Sequence, residues 1–156
     1  MDGVGVTPFE ITGDNIAGGR WENDEMAGAL DTMDAIIFGS PTYMGSVAGQ
    51  MKGFLDAMAP RWFTQAWRDK IGAAFTVSSL SAGDKLNALQ DFVTFAMQMG
   101  MIWCGTGGGF QDGVNHHGFY MGAGLQASTP DQLTEQELAT AIYLGERVAK
   151  IATKLD

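Results

Sequence analysis

The segment that most constrains this chain is Ala35-Ile36-Ile37-Phe38-Gly39, followed at once by Ser40-Pro41-Thr42-Tyr43-Met44-Gly45. The first five residues are apolar, uncharged and free of alternation, the pattern of a strand buried on both faces. Ser40, Pro41, Thr42 and Gly45 are turn formers and predict a loop. Val47, Met51, Phe54, Leu55 and Met58 then fall at helical spacing and predict a helix. Strand, glycine-bearing polar loop and helix make the unit of an open α/β sheet, where ligands bind on loops beyond the carboxyl ends of the strands. The same run of residues also suits a plain strand-to-helix connection.

The unit recurs. Residues 71–77 predict a second buried strand, Ser78-Ser79-Leu80-Ser81-Ala82-Gly83 a loop of small residues, and 84–99 a helix with Leu86, Leu89, Val93, Ala96 and Met97 along one face. Met101-Ile102-Trp103-Cys104 predicts a third strand. Thr134-Glu135-Gln136-Glu137 reads as a capping box that opens the last helix. The apolar face of that helix is Leu138, Ala141, Ile142, Gly145, Val148, Ala149 and Ala152. Crossovers long enough for a helix impose parallel pairing. Before the first unit the signals are sparser. Val4, Val6 and Phe9-Glu10-Ile11 predict one strand, placed at an edge by Pro8. Residues 13–19 read as a loop, and 22–30 as a short acidic helix anchored by Trp21. With no repeat and no break, residues 1–156 form one domain, long enough for a proper core.

Composition narrows the function. A net charge of −9 and a pI near 4.4 repel a phosphate backbone, and Lys52, Arg61, Arg68, Lys70 and Lys85 are scattered, so no nucleic acid is expected. Glycine takes 22 of 156 positions, about twice its usual share, and sits in loops, which suggests backbone brought close to something. The lone Cys104 excludes an internal disulfide, suits a reducing cytoplasm and ends an apolar run as a small core residue. Residues 92–111 carry no charge and match the length of a membrane span, but Thr94, Gln98 and Gly107-Gly108-Gly109 make them a helix end, a turn and a strand instead. His116 and His117 are adjacent, so their side chains are expected to diverge, and no third ligand is spaced near them; no metal site is expected. Trp62, Phe63 and Trp67 are expected to plug the connection after the first helix against the core.

Gly39-Ser40-Pro41-Thr42-Tyr43, then a glycine and a helix with Gln50-Met51-Lys52, resembles the flavin-ring loop of flavodoxin-like NAD(P)H:quinone oxidoreductases, closest to the Trp-repressor-binding-protein (WrbA) branch. The resemblance runs from about residue 9 to the C-terminus. It implies an α/β fold: a flavodoxin-like doubly wound parallel sheet in three α/β/α layers. It implies FMN as cofactor, NAD(P)H as hydride donor and a quinone as acceptor, with no catalytic acid or base demanded. By that resemblance Pro41, Thr42, Tyr43, Met44 and Gly45 cradle the flavin ring, and Ser78, Ser79, Leu80 and Ser81 bond its pyrimidine edge. Trp62 walls the quinone and nicotinamide pocket. Gln98 stands where the family often has a histidine reaching the flavin of a neighbouring subunit. Residues 105–126 are implied to pack at the pocket mouth and between subunits of a homo-oligomer, dimer or tetramer.

The chain departs from the family at its front. It starts near the second strand and shows neither the first strand nor the Ser/Thr/Gly-rich loop that holds the FMN phosphate. An N-terminally truncated sheet is therefore expected, its bare edges covered by oligomerisation or rearrangement. Two other readings stay open: a flavodoxin-like electron carrier, which the acidic charge suits, and a flavodoxin-like chain that binds no flavin.

Overall fold

The computed structural model describes residues 3–107 and 113–155. In chain order the elements are β1 (Ile16–Ala17), β2 (Arg20–Trp21), α1 (Asp24–Asp31), β3 (Ala35–Tyr43), β4 (Ser46–Val47), α2 (Gly49–Ala57), α3 (Ala59–Thr64), β5 (Ile71–Ser78), α4 (Lys85–Gln98), β6 (Ile102–Trp103), β7 (Ala123–Gln126) and α5 (Glu135–Leu155). The spine is the parallel pair β3 and β5, in register from Ala35 opposite Ile71 to Pro41 opposite Val77. The other edge of β5 is shared. β6 pairs with Ile71 and Gly72, and β7 with Phe75 to Ser78, both parallel. β6 and β7 thus fill one strand position that the chain leaves and re-enters. Helices cover both faces of the sheet, giving the expected α/β/α layers.

Aromatic packing defines the first face. Phe38 stacks on Phe92 at 5.7 Å between ring centroids and meets Phe95 edge-on at 5.6 Å. Met26 and Leu30 of α1, Met51, Phe54 and Leu55 of α2, and Leu89 and Ala96 of α4 join that cluster. On the second face Ile71, Ala73, Ala123 and Leu125 pack on Leu144 and Val148 of α5.

The strand after Ala35 is longer than its residues suggest. Ser40, Pro41, Thr42 and Tyr43 belong to β3 rather than to a loop. Asp34 C=O accepts the Ile71 N–H at 3.0 Å, and alternation then turns the backbone groups of Ala35, Ile37, Gly39 and Pro41 away from β5. The missing N–H of Pro41 costs no ladder bond there. The strand ends in a two-residue turn, Met44-Gly45, with φ of 50° and 77°. Positive φ at both positions matches the twist of a tight hairpin, and β4 pairs back antiparallel through Thr42 and Tyr43.

Other expectations are corrected. Residues 3–11 form no strand: two glycines and Pro8 leave that stretch without a ladder, and Val6 is 85% exposed. Within 13–19 the chain makes a short 3-10 turn and the tip of the β1–β2 hairpin. The third strand shrinks to two residues because the chain peels away after Cys104, whose N–H still reaches Gly72 C=O at 2.7 Å. Residues Gly108 and Gly109 of the glycine run lie outside the described residues. Two helices are rotated from their expected faces. In α4 the buried residues are Lys85, Ala88, Leu89, Phe92 and Ala96, with Leu86 and Met97 outside; in α5 they are Glu137, Thr140, Leu144 and Val148, with Leu138 and Ile142 outside. In each case an inward polar residue with its own partners turns the seam, which a count of apolar residues does not foresee. Of the three aromatics after α2, only Trp67 is a plug; Phe63 is 78% exposed and Trp62 43%.

Among the described residues no strand pairs with β3 along Ala35 to Gly39 on its outer side. Beside that edge runs a groove of about 800 Å³, bounded by the 3–11 stretch, by β3 and by Gly145 and Ala149 of α5. Ile37 and Phe75 lie half-exposed on the same side. Among the described residues no helix is long and apolar enough to cross a membrane.

Candidate functional site

β3 and β5 point their carboxyl ends the same way, so the segments that follow them meet at one end of the sheet. The first segment is held from within. Ser40 Oγ accepts the Ala48 N–H at 2.9 Å, which fixes the start of α2, and donates to Pro41 C=O at 2.9 Å. Thr42 and Thr76 join hydroxyls at 2.6 Å between the strands. The side chain of Asn87 on α4 donates to Gly45 C=O at 2.8 Å, and Ser46 Oγ donates to Asp91 at 2.6 Å. These bonds pin the Met44-Gly45 turn to α4 and leave Tyr43 and Met44 projecting into solvent. Ser40 and Thr42, by contrast, are buried and spend their hydroxyls on structure.

The second segment, Ser78 to Gly83, is tied down by a buried cation. Lys85 is 0% exposed; its ammonium donates to Ser78 Oγ at 2.8 Å and to Leu80 C=O, and sits 5.8 Å from the Phe119 ring centre. Burial pushes its pKa down, and the charge of Glu137 pushes partly back. Gln126 at the end of β7 donates to Ser79 C=O at 3.1 Å. Ser79, Leu80 and Ser81 are exposed, and among the described residues the hydroxyls of Ser79 and Ser81 have no side-chain hydrogen bond inside the protein. A polar aromatic ring edge meets donors and acceptors here. Neither segment contains a Lys or Arg, and the cation that follows the second one in the chain is the buried Lys85.

Trp62 and Gln98 lie elsewhere in the chain. α2 and α4 both run away from this end of the sheet. The Gln65 side chain donates to Trp62 C=O at 2.9 Å and to Gln98 C=O at 3.3 Å, which places the two residues together at the opposite end. The 14 residues of α4 make that distance about 21 Å. Within one protomer neither residue borders the two segments.

The histidine pair departs from expectation. Both rings turn the same way, 4.0 Å apart at their centres, and both meet Glu137 at the start of α5: His116 Nε2 lies 3.3 Å and His117 Nε2 2.8 Å from Oε1. A third partner therefore exists, 20 positions further along the chain from His117. The signal was present in the capping box. Thr134 Oγ1 accepts the Glu137 N–H at 3.3 Å, but the Glu137 carboxylate goes to the histidines and not back to Thr134.

A parallel sheet flanked by helices, with two glycine- and serine-bearing segments at adjacent strand ends, defines a flavodoxin-like α/β protein. The family model described as NADPH-dependent FMN reductase matches residues 16–108. The flavodoxin FldP of Pseudomonas aeruginosa is 33% identical over 165 residues, covering 99% of this chain and 86% of its own. A protein of Geotalea daltonii named NAD(P)H dehydrogenase (quinone) is 38% identical over 138 residues, covering 85% of this chain. This chain spans 65% of that relative's length, and 66% of a second protein of the same name from Geotalea uraniireducens, 34% identical. Among solved structures, a WrbA-like flavodoxin protein of Agrobacterium tumefaciens superposes with a TM-score of 0.72 at 38% identity, over 90% of this chain and 78% of its own. The chain belongs to the NADPH-dependent FMN reductase family.

Proposed function

We propose that this chain is an FMN-dependent oxidoreductase that passes electrons from NAD(P)H to quinones. The observation that carries the reading is the pair of segments at the carboxyl ends of β3 and β5, in a chain of this family. Pro41 to Gly45 presents a pinned turn with positive φ, whose backbone a flat ring can approach closely. Ser79 and Ser81 present exposed hydroxyls on the Ser78 to Ser81 segment, which Lys85 holds still through Ser78 and Leu80. The residues present thus fit the ring of FMN, while its phosphate meets no exposed cation in either segment. When bound, FMN supplies the electron chemistry; this chain's residues bind and orient the ring. No residue of the chain is assigned a proton transfer.

The acceptor is a quinone or similar flat aromatic, and the assembly is a homo-oligomer, dimer or tetramer. The distance of about 21 Å between the two ends of α4 supports this: Trp62 and Gln98 serve a ring only from a neighbouring subunit. The exposed Trp62 and Phe63 pair, 4.7 Å apart, suits such a contact. The buried, unpaired Cys104 supports a reducing, cytoplasmic setting. A second reading, a flavodoxin-like electron carrier, is favoured by the exposed Tyr43 and Met44 and by the likeness to FldP.

The test is an FMN titration of the purified chain read by quenching of flavin fluorescence, followed by NADPH-driven reduction of benzoquinone. Saturable quenching at micromolar FMN with turnover is expected, and Trp62→Ala should lower turnover more than FMN affinity. Binding without turnover leaves the carrier. No quenching near millimolar FMN sinks both.

A further inference from the structure

We propose that His116, His117 and Glu137 bind one divalent transition-metal cation of the zinc type, through two imidazole nitrogens and one carboxylate oxygen, with a further position open to solvent. The site lies on the segment between β6 and β7 and on α5, and does not depend on the redox reading.

Backbone geometry explains why two adjacent histidines converge. Asn115 has φ of 55° and Gly118 φ of 75°, and the Gly118 N–H donates to Asn115 C=O at 2.8 Å. The pair sits inside this tight turn. The turn is fastened to α5 by the Asn115 N–H, which donates to Thr140 Oγ1 at 2.9 Å. The ligand atoms of all three side chains lie within 4.8 Å of one another. Around a cation with bonds of about 2.0–2.1 Å, neighbouring ligand atoms stand roughly 2.9 Å apart at right angles and roughly 3.4 Å apart at the tetrahedral angle. The two separations from Glu137 Oε1, 2.8 and 3.3 Å, are edges of that size.

An ion pair alone does not explain the arrangement. Glu137 is 3% exposed, and among the described residues its Oε2 has no hydrogen-bond partner. Both imidazole nitrogens crowd the same oxygen, Oε1. Two imidazole nitrogens that converge on one carboxylate oxygen make a donor set of the kind zinc takes. Asn115 adds a second observation. Among the described residues its side-chain oxygen and nitrogen are both buried without hydrogen-bond partners, next to His116 in the chain. Such groups serve to orient ligands or a metal-bound water. The Lys85 ammonium, whose charge interacts with Glu137, gives its hydrogen bonds to Ser78 and Leu80.

Donor chemistry sets the class. Two imidazoles and a carboxylate suit zinc, cobalt, nickel or copper, while magnesium and calcium take oxygen donors. The His116 side chain is 30% exposed, which gives an entry path and leaves a coordination position for water.

The test uses the untagged full chain after chelator treatment. Cobalt(II) is titrated and its visible d–d band followed, then displaced by zinc; thermal melting is compared with zinc and with magnesium. Saturable uptake of about one equivalent at micromolar metal is expected, with melting raised by zinc and not by magnesium. His116→Ala and His117→Ala should each weaken uptake about tenfold or more. Because Glu137→Gln leaves a buried amide and its fold is at risk, His116→Ala, the most exposed change, carries the decision, with circular dichroism to confirm folding. No saturable uptake by the folded chain overturns the proposal, as does His116→Ala binding cobalt as tightly as the native sequence.

Discussion

Asp31 shows how one side chain can hold two segments against the core. Its carboxylate accepts both Nε and Nη2 of Arg61, at 2.8 and 2.9 Å, and the indole N–H of fully buried Trp67 at 2.8 Å. Burial pushes the Asp31 pKa up, but the hydrogen bonds from Arg61 and Trp67 outweigh it and hold the group below its ordinary value of 3.8. The sign follows directly. A folded-state pKa below the unfolded one gives stability that is complete above the ordinary carboxylate range and is lost as pH falls through the lowered value. Asp31→Asn should therefore cost about 1–2 kcal/mol at neutral pH, toward the low side because the carboxylate is partly exposed. Urea unfolding at neutral pH and again near pH 2–3 checks this: the gap between variant and native chain should narrow on acidification. An equal gap at both pH values would refute the assigned role. None of this was visible in the sequence, where Arg61 was one of five scattered cations.

At the scale of elements, two close approaches rank the glycines of the sheet. A Cβ at Gly122 would lie 2.3 Å from the Ala74 carbonyl oxygen, in the backbone of β5. A Cβ at Gly39 would lie 2.3 Å from Cζ of Phe75, a ring already half in solvent. Backbone in a central strand cannot yield, whereas the ring can swing. Gly122→Ala should cost about 1–3 kcal/mol and Gly39→Ala distinctly less, as read from urea midpoints; the reverse order would sink the packing argument. The elements themselves were largely readable. Ile36, Phe38, Ile71 and Ala73 announced the parallel pair, and Met51, Phe54 and Leu55 the face of α2, but the expected burial of β3 on both faces fails at Ile37, which lines the groove and is 41% exposed. What periodicity lacks is the identity of the neighbour. Pro41 is harmless in β3 only because its nitrogen faces away from β5. Leu86, Met97, Leu138 and Ile142 are apolar yet exposed because Lys85, Glu137 and Thr140 find partners inward. The candidate site divides the same way: the Ser78 to Ser81 segment could be read from composition, but the turn of both histidines onto Glu137 depends on a loop closing over a helix.

The whole molecule is organised around β5, which pairs with β3 along one edge and with β6 and β7 along the other. The neck between β6 and β7 is laced shut. Thr106 N–H donates to Tyr120 C=O at 3.2 Å, Thr106 Oγ1 to Phe119 C=O at 3.0 Å, and Trp103 Nε1 to Met121 C=O at 2.7 Å. The outer side of β3 is the contrast. Backbone groups of Ile36 and Phe38 turn toward β5, those of Ile37 and Gly39 toward the groove. Deuterium uptake, read amide by amide, should therefore separate neighbours: Ile36 and Phe38 slow, Ile37 and Gly39 fast in a chain whose edge is bare. In concentrated protein, late exchange at all four positions would register a surface lying over that edge, and dilution would restore the alternation. Every second amide of one strand thereby reports on whether the molecule is alone.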